Sequence, residues 1–221
     1  MNREFVFQRI LQRKLIAIVR GQRTECLAPL AEALYRGGVD LVEVTFQQDK
    51  PETWADTAQG IRAIGQLHGD ALLAGAGTVM TVEQVRLAHA AGARYIISPN
   101  TEEAVIRETL RLGMVSLPGA LTPTEIAQAA AYGADAVKVF PAGCLGAAYL
   151  KALCAPLAHI PLLAVGGINE RNAAEYLRAG CVGLGVGGQL VNAELMEAGR
   201  YEEITEIASR YRAAVEGSGS L

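Results

Sequence analysis

The chain has 221 residues, is 51% hydrophobic and carries a formal net charge of -3. That content is too apolar for disorder and sufficient to fill one α/β core, so residues 1–221 are expected to form a single domain. With 20 Lys and Arg against 23 Asp and Glu and no basic block, nothing marks the chain for nucleic acid or an anionic membrane, and the expected partner is a small molecule.

Charges interrupt the first ten residues before any signal-like apolar core can form, and no later apolar run is long enough to span a bilayer. A cytoplasmic location is therefore expected. Cys26, Cys144, Cys154 and Cys181 form no CxxC pair and read as reduced thiols. His68, His89 and His159 have no second His or Cys at ligand spacing, so neither a metal nor another cofactor is expected.

In chain order, apolar periodicity predicts a short amphipathic helix over 3–12, then a strand at Leu15–Val19 ending in Arg20 and Gly21. A helix over 25–37 stops at Gly37-Gly38, a strand covers 41–46, and a helix runs from Pro51 to Leu67. The third strand is expected at 71–75 with Thr78 just beyond it, followed by a helix over 81–91; the fourth is expected at 95–98, closed by Pro99-Asn100 ahead of a helix starting near Glu102. The fifth, at 114–117, ends in Pro118-Gly119 before a helix capped by Thr122 or Thr124 and reaching Tyr132. The sixth strand lies around Lys138, with a helix over 147–157. The seventh, Leu162–Val165, ends in Gly166-Gly167, and Asn169 is expected to cap a helix to Ala179. The eighth, at 182–186, ends in Gly187-Gly188, a last helix covers 200–215, and the tail from Glu216 to Leu221 is expected to be loose.

Eight strand–helix units with near-continuous apolar strands predict a parallel (β/α)8 TIM barrel carrying an extra N-terminal helix. An open doubly wound sheet is the competing architecture. In a barrel the site lies at the C-terminal ends of the strands, which collects Arg20, Glu43, Thr45, Thr78, Asn100, Lys138 and the glycine pairs Gly166-Gly167 and Gly187-Gly188 at one mouth. Glu43 and Thr45 share strand parity, as do Lys138 and Phe140.

Lys138 is the residue that most needs explaining, because a lysine inside a buried apolar strand is rarely tolerated without a task. Desolvation favours its neutral amine, the form that attacks ketones. A carboxylate such as Glu43 could move protons for that chemistry or could simply pair with the ammonium; the residues alone leave both open. Backbone N–H groups of glycine pairs after the last two strands are common phosphate ligands in barrels.

The runs LIAIVRG, VEVTF, AGAGTV, ISPN, LPGALTPTE, AVKVFPA, KAL and AVGGINERNAAEYLRAG, then GLGVGG, together resemble the 2-keto-3-deoxy-6-phosphogluconate (KDPG) and 4-hydroxy-2-oxoglutarate (KHG) aldolases over about residues 10–195. The resemblance implies a metal-independent class I aldolase that cleaves a 2-keto-3-deoxy acid, phosphorylated gluconate or galactonate type or 4-hydroxy-2-oxoglutarate, to pyruvate and an aldehyde. It implies Lys138 as Schiff-base lysine and Glu43 as general acid/base. Arg20 and Thr78 would hold the pyruvyl end, Phe140 and Pro99 would shape the pocket, and the subunits would assemble as a homotrimer. Two departures stand out: Gln47 and Gln48 follow the EVT motif where many relatives have an arginine, and Gly188 stands where relatives commonly have serine. Two other classes fit parts of the pattern. A phosphosugar isomerase or epimerase needs the barrel, the phosphate cup and a Glu but no imine, and a non-catalytic sugar-acid-binding barrel needs no amine at all.

Overall fold

The computed structural model describes residues 2–217. Among these, nine strands form one parallel sheet: β1 Leu15–Val19, β2 Leu41–Thr45, β3 Leu73–Gly77, β4 Tyr95–Ile97, β5 Val115–Leu117, β6 Gly119–Ala120, β7 Val137–Val139, β8 Leu162–Val165 and β9 Gly183–Val186. Helices alternate with them: α1 Arg3–Arg13, α2 Thr24–Arg36, α3 Trp54–Leu67, α4 Val82–Ala90, α5 Glu103–Arg111, α6 Pro123–Ala131, α7 Gly146–Cys154, α8 Ala173–Arg178, α9 Ala193–Glu197 and α10 Tyr201–Glu216.

The strand order is β5-β4-β3-β2-β1-β9-β8-β7-β6, so the two ends of the sheet are neighbours in the chain, separated only by Pro118. The single fifth strand expected from the sequence is thus split: its first half pairs with β4 and its second with β7. Proline has no N–H to give to a ladder, yet its carbonyl accepts the Lys138 N–H at 2.8 Å. The barrel closes through this segment, and the open-sheet alternative falls.

Two apolar layers hold it. The larger lies between strands and helices, where residues such as Leu30, Leu34, Val42, Ile61 and Leu150 are fully buried. The smaller fills the barrel floor with Ile16, Leu41, Leu73, Tyr95, Val115 and Leu163, capped from below by Val6 and Ile10 of α1. Burying each such side chain contributes about 1.5–3 kcal/mol. The helix is fastened by charge as well: Asp40, buried just before β2, accepts from Arg9 Nη2 at 2.7 Å and from Arg13 Nε at 2.9 Å. Among the described residues no helix is long and apolar enough to cross a membrane.

Four expectations change. Strand β3 starts two residues later than read, because Gly69–Ala71 closes the preceding helix as a 3-10 turn. Helix α8 begins at Ala173 instead of Asn169, since Asn172 Oδ1 accepts the Asn169 N–H at 2.8 Å and Asn169 Oδ1 accepts the Arg171 N–H at 3.0 Å, turning the chain before the helix. Five-residue α9 is additional, initiated by Asn192, whose side chain accepts from the Leu195 N–H. Of the tail expected to be loose, Glu216 belongs to α10, while residues 218–221 lie outside the described residues. Between the two candidate caps for α6 the structure selects Thr122, which exchanges bonds with Glu125 in a capping box.

Candidate active site

The C-terminal ends of β1, β2, β7, β8 and β9 enclose a pocket of about 350 Å³ whose walls include Arg20, Glu43, Lys138, Phe140, Gly166, Gly167, Gly187 and Gly188. Thr78 and Pro99, both expected in the site, do not line this pocket. Thr78 directly follows Gly77 and holds a left-handed φ of 54°, uncommon for a β-branched residue. Pro99 presses its backbone carbonyl against Gly119, the register partner of Lys138. Thr45, expected to point with Glu43, lines a separate cavity of about 220 Å³ with Gln22 and Asp56, and its hydroxyl is buried without a partner.

Glu43 is 1% exposed and Lys138 6% exposed, so both have left bulk water. No hydrogen bond or ion pair joins them, and Glu43 Oε2 is buried with no partner. Burial therefore dominates both titrations. It raises the Glu43 carboxyl above its ordinary value against the opposing charges of Lys138 and Arg20. It lowers the Lys138 ammonium, with Glu43 opposing and Arg20 adding to the fall. Each shift favours the neutral form. The Lys138 Nζ also sits 4.8 Å from the centre of the Phe140 ring, an apolar neighbour that screens it from solvent.

The space for Glu43 comes from β3. A Cβ on Gly77 would lie 1.6 Å from Glu43 Oε1, and one on Gly75 would lie 2.1 Å from the Tyr95 ring. These glycines are functional positions that strand reading missed; two glycines of the same parity in one strand were the available signal. On the opposite wall Gly166 and Gly167 take φ of 89° and 75°, conformations that suit glycine. The Gly166 carbonyl accepts the Gly143 N–H at 2.7 Å, and Asn172 Nδ2 donates to the Gly167 carbonyl at 3.0 Å, fixing the loop. Gly187 and Gly188 differ: neither has a positive φ, and a Cβ on either would meet nothing within 4 Å. What they contribute to the pocket is open volume.

A parallel barrel with a buried amine and a buried carboxyl in one mouth, together with its relatives, defines an aldolase, and so a lyase. Residues 6–207 match the KDPG and KHG aldolase family, and the chain belongs to it. It is 36% identical to the 2-dehydro-3-deoxy-phosphogluconate aldolase of Treponema pallidum over 206 residues, 93% of this chain and 95% of that one. It is likewise 36% identical to the 2-dehydro-3-deoxy-6-phosphogalactonate aldolase of Escherichia coli K12 over 203 residues, 91% and 96% of the two chains. Among solved structures, native KDPGal superposes with a TM-score of 0.84 at 36% identity, covering 94% of this chain and 96% of its own. The KDPG aldolase of Legionella pneumophila, captured with pyruvate as a covalent carbinolamine, superposes with a TM-score of 0.80 at 29% identity, covering 89% and 93%.

Proposed function

We propose that this aldolase cleaves a six-carbon 2-keto-3-deoxy acid phosphorylated at its far end, of gluconate or galactonate configuration, to pyruvate and a phosphorylated three-carbon aldehyde. The reading is carried by one observation: Lys138 and Glu43 are buried together in the barrel mouth without pairing, and both are pushed toward neutrality. A neutral lysine amine attacks the C2 ketone, and the carbinolamine loses water to form the imine. The C4 hydroxyl then gives up its proton as the C3–C4 bond breaks, which releases the aldehyde and leaves an enamine. Protonation at C3 and hydrolysis free pyruvate and restore the amine. Glu43 carries these protons, directly or through a water in the pocket.

Arg20, exposed on the wall shared with both groups, receives the pyruvyl carboxylate, the duty for which the chain offers Gln47 in place of a second arginine. Thr78 supports that end, and Phe140 and Pro99 shape the reacting chamber. The phosphate lies over Gly166, Gly167, Gly187 and Gly188, whose backbones line the far wall. A homotrimer working in the cytoplasm completes this reading.

Borohydride reduction with pyruvate, followed by peptide mass spectrometry, tests the reading. A reduced pyruvyl adduct is expected on the Lys138 peptide and is lost in Lys138→Met. A folded protein that gives no adduct would turn the assignment to the isomerase or the binding barrel, neither of which forms an imine.

A further inference from the structure

Next to the reactive pocket, with Gly167 and Gln189 common to both linings, lies a second cavity of about 340 Å³ walled by Asn169, Glu170, Arg171 and the buried Tyr211. The two cavities share Gly167 and Gln189, so groups lining the second stand next to the wall of the first. Its charges are uneven. Glu170 is engaged, its Oε2 accepting from Arg210 Nε at 2.8 Å, whereas Arg171 makes no ion pair with any described residue. The backbone of Arg171 is fixed by the Asn169 side chain at 3.0 Å, so a free guanidinium is presented from a held turn. In the reactive pocket Gly187 and Gly188 leave open space where side chains would stand, and Gln189, which lines both cavities, brings an uncommitted amide.

We propose that Arg171 is a specificity residue of this chain, taking the phosphate monoester at the end of the aldehyde half, with Gln189 as a neutral second donor. The inference rests on the aldolase reading above. A guanidinium offers a planar, bidentate fork to a phosphate, and it supplies the charged contact that a glycine at 188 cannot. Glu170 faces the same cavity, but its charge is compensated by Arg210, so the balance of these three side chains is cationic.

Arg171→Ala and Arg171→Lys test this through two readouts. In condensation of pyruvate with glyceraldehyde 3-phosphate or glyceraldehyde, Arg171→Ala is expected to raise KM for the phosphorylated acceptor about 10- to 100-fold. The ratio of kcat/KM between the phosphorylated and plain acceptors falls by the same factor, and Arg171→Lys restores part of it. Calorimetric binding of glycerol 3-phosphate, which needs no imine, is expected to weaken in parallel. An unchanged acceptor ratio with unchanged glycerol 3-phosphate affinity in Arg171→Ala overturns the proposal. If the parent protein traps no pyruvate, the aldolase reading fails by itself, and glycerol 3-phosphate binding decides the role of Arg171 alone.

Discussion

At the residue scale the proposed chemistry depends on two groups that burial pushes away from their ordinary titration. Because burial lowers the Lys138 ammonium from its ordinary 10.5, the amine is free at lower pH than an exposed lysine would allow. Trapping of pyruvate is therefore expected to rise with pH to a plateau whose midpoint lies below 10.5; a midpoint at or above that value would contradict the desolvated environment. Glu43 moves the other way, raised above 4.5 by burial. Between 4.5 and its folded value the native state holds a proton that the unfolded chain has lost, so Glu43 makes stability fall as pH rises across that window. Glu43→Gln is expected to flatten that decline in denaturant titrations. The same variant still forms the pyruvate imine, but exchange of the pyruvate methyl protons with deuterium slows by about 10²–10⁴-fold. Unchanged exchange would remove Glu43 from proton transfer. The oddity of Lys138 was legible in the sequence, since a cation in an apolar strand needs a reason. Thr45 was not: parity aligns it with Glu43, but at the strand end the wall belongs to a different cavity.

At the element scale, β3 is a strand built to be thin. Gly75 and Gly77 are buried within it and leave their side-chain space to Tyr95 and Glu43. Gly77→Ala would bring a methyl within 2.5 Å of Glu43 Cγ, Cδ and Oε1, and is expected to displace the carboxyl from the mouth. Its deuterium exchange should drop toward the level of Glu43→Gln, and parent-like exchange would show that Glu43 has freedom the packing denies. At the other end of the barrel, α1 depends on Asp40 as much as on Val6 and Ile10. Asp40→Asn keeps the shape but removes the charge that two arginines share, and should cost about 1.5–3 kcal/mol in urea unfolding. Hydrogen exchange should then accelerate over α1 first, while the mouth, at the opposite ends of the strands, keeps its pyruvate trapping. The boundaries of β1 and β8, and of α1 to within one residue, followed directly from apolar period. The start of α8 did not, because two asparagines, each a plausible cap, satisfy one another before the helix begins.

At the scale of the whole molecule, closure of the barrel runs through Pro118, the one residue between the two ends of the sheet. All strands are parallel, so each neighbouring pair except β1 and β9, the first and last of the chain, is joined through a crossover, and the mouth collects residues from positions as distant as Arg20 and Gly188. Phe140 and Leu145 remain exposed near that mouth and Phe5 at α1, apolar surface that a partner subunit could cover. A homotrimer predicts light scattering at three times the 23.4 kDa chain mass. A single-chain mass at micromolar concentration would leave each barrel working alone.

The alternation of elements, the parallel class and the oddity of Lys138 were legible in the sequence by itself, because period, glycine stops and a misplaced charge are local properties of the chain; the family was legible from whole motifs in order, and the role expected of Glu43 only through that resemblance. Only the tertiary structure decided that the fifth strand divides at Pro118, that the space beside Gly77 is filled by the Glu43 carboxyl, and that Arg171 lines a cavity next to the reactive pocket. Each of these depends on contacts between segments far apart in the chain, and no local pattern records which atoms will meet.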